Sequence, residues 1–225
     1  MSILNFRRWV IATVLLAACA SALWGQNAGA ATSEQQRKTS EPYRGDLSIF
    51  EEPGRDEKLQ INRVMDILGI VTGKSVADIG AGSGWFTVRA AKRVGGGQVY
   101  AVDINVEAIK YIDERAQKEQ LGNVKTILSK PDDPMLPAGS VDAVLILKTY
   151  HEVARPISLL KNLRPALRVG AKVGVIDRNG NGEDHGVGKD VVIHEAQQAG
   201  YKLVEQYDFV KGDRMDYFLV FTPAS

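Results

Sequence analysis

The chain has little of the chemistry that cysteine and histidine supply. Among 225 residues there is one cysteine, Cys19, and there are three histidines. A lone cysteine forms no internal disulfide. No sign of charge dominates: formal net charge is +1, and Arg7 and Arg8 are the only charges in the first 30 residues, so the remainder is almost balanced. A near-neutral body excludes a broad nucleic-acid footprint. The nearly apolar, uncharged stretch from Val10 to Leu23 stops short of the roughly 20 residues that a membrane-spanning helix needs. There are no internal repeats and no low-complexity block. What remains is ordinary globular composition, 44% apolar and 24% charged, in a chain long enough for one domain with a sizeable core.

Residues 1–30 read as an export signal, with Arg7 and Arg8 before the apolar stretch and the small-residue triplets Ala20-Ser21-Ala22 and Ala28-Gly29-Ala30 as cleavage sites. Leu16-Ala17-Ala18-Cys19 has the form of a lipobox, so a lipid anchor at Cys19 competes with cleavage at Ala30. Either outcome makes the protein exported, periplasmic or envelope-attached in a bacterium, with no span in the mature body. Residues 31–44 are polar and read as a flexible linker, leaving 45–225 as the folded domain.

Periodicity in that domain alternates between strand and helix. Apolar runs at 75–79, 98–102, 124–128, 142–147 and 172–176 are strand-like, and helical stripes lie between most of them. Asn105 can cap the helix carrying Val106, Ile109 and Ile112, and Gly122 is expected to stop it. Two last strands, 202–209 and 217–221, are close enough for a hairpin. The expected fold is α/β: a doubly wound, mostly parallel, seven-stranded sheet with an antiparallel edge strand. In such sheets ligands bind outside the carboxyl ends of the strands, where the strand order reverses.

The run Val76 to Gly84 (VADIGAGSG) ends an apolar strand in Asp78 and continues as Gly80-x-Gly82-x-Gly84. The next strand, Val99 to Asp103, also ends in an acid. Glycines at such a turn let the backbone approach a ligand, and free amides at the helix start can bind a carboxylate. Asp78 can accept from an ammonium, and Asp103 can take two ribose hydroxyls. The third-glycine spacing of a dinucleotide site is missing, which disfavours an NAD-dependent oxidoreductase.

These residues resemble motif I and the acidic motif that follows it in class I S-adenosylmethionine-dependent methyltransferases. Asp132 to Pro137 with Ser140-Val141-Asp142 is similar to the family's adenine loop and fourth strand, and Val169 to Asp177 to its turn into strand five. The likeness is greatest to the small-molecule group that includes ubiquinone and menaquinone methyltransferases. The resemblance implies S-adenosyl-L-methionine as cofactor, held by Asp78, Gly80, Ala81, Gly82 and Gly84 at its methionine end, by Asp103 and Ile104 at the ribose, by Asp132 at the adenine, and by Lys148 after strand four.

Tyr150, His151 and Glu152 follow strand four and form the candidate catalytic set. His151 suits a general base at neutral pH, or it caps the next helix. Tyr150 walls the pocket or belongs to the core. The glycine-rich stretch 178–188 has the character of a lid, and His185 reads as a solvated residue of it. No ligand spacing supports a metal. The expected function is methyl transfer to an unidentified small molecule; the alternative is a catalytically silent S-adenosylmethionine-binding protein of the same fold in the envelope. Mass spectrometry of the mature N-terminus decides its processing: a lipidated Cys19 or a start after Ala30 fits the export reading, and an intact Met1 contradicts both.

Overall fold

The computed structural model describes residues 34–39, 43, 45–181 and 183–224. The expected export signal, with Cys19 and Ala30, lies outside them. Seven strands form one sheet: β1 (Val76–Ile79), β2 (Val99–Asp103), β3 (Val124–Leu128), β4 (Val141–Leu147), β5 (Leu167–Asp177), β6 (Tyr201–Tyr207) and β7 (Tyr217–Pro223). Their order is β3-β2-β1-β4-β5-β7-β6. Strands β1 to β5 pair in parallel, and β7 runs antiparallel between β5 and β6. The antiparallel strand therefore sits one place inside the edge, and β6 takes the edge itself.

Helices cover both faces. The short α1 (Arg55–Leu59), α2 (Ile61–Ile67) and α3 (Trp85–Val94) pack on one face, where Leu59, Val64, Phe86 and Val94 meet Val76, Val99 and Leu145. On the same face α4 (Val106–Lys118) sets Ile112 against Ala101. On the other face α5 (Pro156–Leu163) and α6 (Lys189–Gln198) set Leu160, Leu163, Val192 and Ala196 against Ala77, Val144 and Ile146. Every residue of β1 is buried, and all of β4 except Asp142, because helices cover central parallel strands on both sides. Asn105 caps α4 by accepting from the Glu107 N–H at 2.9 Å. That helix ends before Gly122: Gln120 already takes the left-handed turn, φ 57°.

Two segments depart from expectation. Strand β5 begins at Leu167, five residues earlier than its apolar run, through a bulge in its pairing with β4. Residues 34–39, expected as a flexible linker, dock on the domain. The Glu34 carboxylate accepts from the backbone N–H groups of Ile157 and Ser158 at the start of α5, at 2.9 and 2.7 Å. Arg37 donates to both Glu195 carboxylate oxygens and to the carbonyls of Tyr150 and Val153. The segment binds because its charged residues satisfy a helix N-terminus and a part-buried acid, a pairing that composition alone does not reveal. No helix among the described residues is long and apolar enough to cross a membrane.

Replacing Arg37 by Ala removes the ion pair of the part-buried Glu195, which keeps only the Tyr150 hydroxyl, and takes one donor from each of two carbonyls. We expect a loss of roughly 1–3 kcal/mol in urea unfolding, with Arg37→Lys restoring only part of it because an ammonium lacks the planar fork. An unchanged unfolding midpoint contradicts the docking.

Candidate functional site

The sheet order reverses between β1 and β4, and a cavity of about 660 Å³ opens at their carboxyl ends. Its floor is the turn after β1. Gly80, at φ 73°, lies against Thr149, and a Cβ there would overlap the Thr149 side chain. The absence of a side chain at Gly80 thus lets the turn after β1 meet the turn after β4. Gly84, at φ 74°, opens α3, and a Cβ there would press on Ile112 at 3.1 Å. Its role is packing, and unlike Gly80, Ala81 and Gly82 it does not line the cavity.

The loop amides are largely spent inside the loop. Gly80 and Ala81 donate to the Val102 carbonyl, and Gly84 to Ala81. Gly82 donates to Asp103 Oδ2 at 2.9 Å, while Asn105 donates to Oδ1 at 2.8 Å. The expected amide cradle for a carboxylate is therefore not free at these positions; of the cations lining the cavity, Arg55 is paired with Asp213 at 3.0 Å, and Lys148 stands on the turn after β4. Asp103 is only part-buried, and each carboxylate oxygen keeps a lone pair for a further donor.

Asp78 also lines the cavity but is only 2% exposed, and its Oδ2 accepts from the Thr87 hydroxyl at 2.6 Å. Burial pushes its carboxyl up to about 7, with the Asp103 charge adding to the rise and Thr87 opposing it. Burial likewise raises Asp103, opposed by the N–H groups of Asn105 and Gly82. Two destabilised carboxylates at adjacent strand ends make the cavity receptive to a cation.

Opposite them stands the turn after β4. Lys148 takes a left-handed backbone, φ 53°, and its N–H bonds the Ile176 carbonyl. This aims the next residues across the cavity. His151 lines it while 1% exposed. Its Nδ1 lies 2.9 Å from both oxygens of the wholly buried Asp177, which also accepts the His151 N–H at 3.0 Å. Glu152 lines the cavity too, and burial raises its carboxyl, with His151 opposing.

Two expected site residues lie elsewhere. Tyr150 is fully buried away from the cavity; its hydroxyl donates to Glu195 at 3.0 Å, and the Arg37 guanidinium sits 5.4 Å from its ring centre. Asp132 does not line the cavity either, because its carboxylate accepts from Arg155 at 2.9 Å. Ile104, about half exposed, and Pro131 with Pro134 line it at that end instead. Asp177 is the partner of His151 that reading by motif does not supply: an acid ending an apolar strand, 26 residues away in sequence. Local spacing also offered no metal set, yet the fold gathers His151, Glu152 and His185.

Residues 76–170 match the family model described as a methyltransferase domain. Over 95 residues the chain is 36% identical to the aklanonic acid methyltransferase DauC of Streptomyces sp. (strain C5), covering 42% of each chain. Over 110 residues it is 26% identical to the demethylmenaquinone methyltransferase of Geobacillus sp. (strain WCH70), covering 48% of this chain and 47% of that one. The chain thus spans about half the length of the curated relatives it matches. A solved S-adenosylmethionine-dependent methyltransferase from Aquifex aeolicus shares the fold, with a TM-score of 0.70 at 24% identity over 79% of this chain and 98% of that one. The resemblance drawn from the glycine loop and its acids is met in the family model, the relatives and the fold.

Because Asp78 is raised from 3.8 to about 7, the folded protein prefers it protonated. Its contribution is fully favourable below about pH 4 and is lost as pH rises through 7. The melting temperature of Asp78→Asn should therefore gain on the wild type as pH rises from 5 to 7 and level off above. A difference that stays flat over this range contradicts the shift.

Proposed function

We propose that this chain, with its methyltransferase domain over residues 76–170, is an S-adenosylmethionine-dependent methyltransferase acting on a small molecule. The observation that carries the reading is the pair Asp78 and Asp103, facing one cavity across a glycine turn. The cavity has the volume of a small-molecule site, commonly some 300–1,000 Å³. A buried carboxylate raised by desolvation suits an ammonium, and a part-buried one with lone pairs to spare suits ribose hydroxyls.

When bound, the cofactor supplies a methyl group on a sulfonium, open to in-line attack by an acceptor atom. Asp78 would hold its ammonium and Asp103 its ribose hydroxyls, which orients the methionine and ribose portions. Gly80 and Thr149 keep the cofactor wall and the acceptor wall in fixed contact, which is positional work of the kind that lowers such barriers. His151 acts on the acceptor through Nε2, because Asp177 occupies Nδ1. The relatives named for aklanonic acid and demethylmenaquinone support a small-molecule acceptor.

The export reading of residues 1–30 extends the proposal to a periplasmic or envelope-attached enzyme, with a lipid on Cys19 as one form of attachment. The same signal favours the silent-binder alternative, since the cofactor is made in the cytoplasm. Incubating the protein with methyl-labelled cofactor and small-molecule extracts tests both. Label should pass to an extract component, and His151→Ala should lower turnover about 10²–10⁴-fold while leaving cofactor affinity within a few-fold. Binding with no transfer to any extract favours the silent binder; unchanged turnover in His151→Ala makes that histidine structural.

A further inference from the structure

How His151 acts on an acceptor depends on what stands beside it. Asp177 takes Nδ1, so Nε2 is the nitrogen available to the cavity. Glu152 Oε1 lies 3.8 Å from that Nε2. His185 approaches from the loop after β5 with its ring centre 5.9 Å from that of His151, the two planes at 86°. One donor atom from each of the three residues lies within 4.8 Å of the other two. Among the described residues, the one ion-pair contact of the Glu152 carboxylate is with His151 itself.

The geometry points to a divalent transition-metal site formed by His151, Glu152 and His185. Two imidazoles and a carboxylate are a donor set that holds Zn²⁺ or a similar first-row cation and leaves a position open for an exogenous ligand. Bonds of about 2.0–2.2 Å to one ion require the donors to draw closer than they stand. His185, exposed on its loop, can supply that movement. Its backbone is pinned meanwhile by Arg178, which donates to the carbonyls of Asp184 and His185.

Asp177 suits this site. A carboxylate on the far nitrogen of a ligating histidine fixes its tautomer, aims its lone pair and raises its basicity. A simple base has no use for a second imidazole and a carboxylate converging on the same point. A cation here binds an acceptor through oxygen, a hydroxyl or phenol whose proton passes to solvent water and whose oxygen is left as the nucleophile. That substrate class rests on the methyl-transfer reading; the cation site itself does not.

The test uses tag-free protein stripped with chelator, titrated with ZnCl₂ by calorimetry and with CoCl₂ by visible absorption. One equivalent should bind, with cobalt d–d bands of a low-coordinate nitrogen and oxygen site. His185→Ala and Glu152→Gln should abolish those bands, and Asp177→Asn should weaken affinity about 10–100-fold. His194→Ala, altering a histidine that bonds Gln198 on α6, should change nothing. His185 lies in an exposed loop, so its loss does not endanger folding. Failure of the wild-type protein to bind either ion stoichiometrically overturns the site. So does a cobalt spectrum that survives both His185→Ala and Glu152→Gln. S-adenosylhomocysteine titrated into the same samples separates the two readings: cofactor binding without metal sinks only the cation site, and metal binding without cofactor sinks only the methyltransferase reading.

Discussion

Asp177 ends β5 with no solvent exposure and accepts hydrogen bonds from the backbone of His151 and of Arg178, with the His151 imidazole beside it at 2.9 Å. A buried carboxylate without such partners is costly, so its burial demands that these groups stay in place. That one requirement fixes the turn after β4, the orientation of the imidazole and the start of the loop that carries His185. The acceptor wall of the cavity is, in this sense, assembled around a carboxylate that never reaches the cavity.

The cofactor wall is organised the opposite way. Asp78 and Asp103 are held where charge is disfavoured, one by burial almost complete, the other by burial that backbone N–H groups offset. On the proposed reading this cost is held in readiness for the cofactor's cation, as is common at functional sites. The two walls communicate through Gly80 and Thr149, where the absence of one methyl group sets the distance between them.

Much of the cofactor wall was legible because it is local in sequence. A strand, an acid, three glycines, a helix and a second acid-ended strand are contiguous, and short-range sterics dictate how they fold. The acceptor wall was legible only in its residue types. His151 can be singled out, but its tautomer depends on Asp177 at the end of the neighbouring strand β5. Position along the chain puts Tyr150 and Asp132 at the site, and long-range partners turn them away: Glu195 and Arg37 for the tyrosine, Arg155 for the aspartate. The same limit hid the docking of residues 34–39, whose charges look solvated until the helix start and the acid they satisfy are in view. Even the loop amides, free by motif, prove to be engaged by Asp103 and Val102.

On the proposed reading the cavity seats a cationic nucleoside-linked amino acid on Asp78 and Asp103. Calorimetric titration of S-adenosylhomocysteine in buffers of different ionisation enthalpy measures it most directly. Seating an ammonium against Asp78 must lower the pKa that burial has raised, so binding at pH 6.5 should release a substantial fraction of one proton. That release should shrink by pH 8 and be absent in Asp78→Asn. No binding, or binding with no proton released at pH 6.5, would contradict the account.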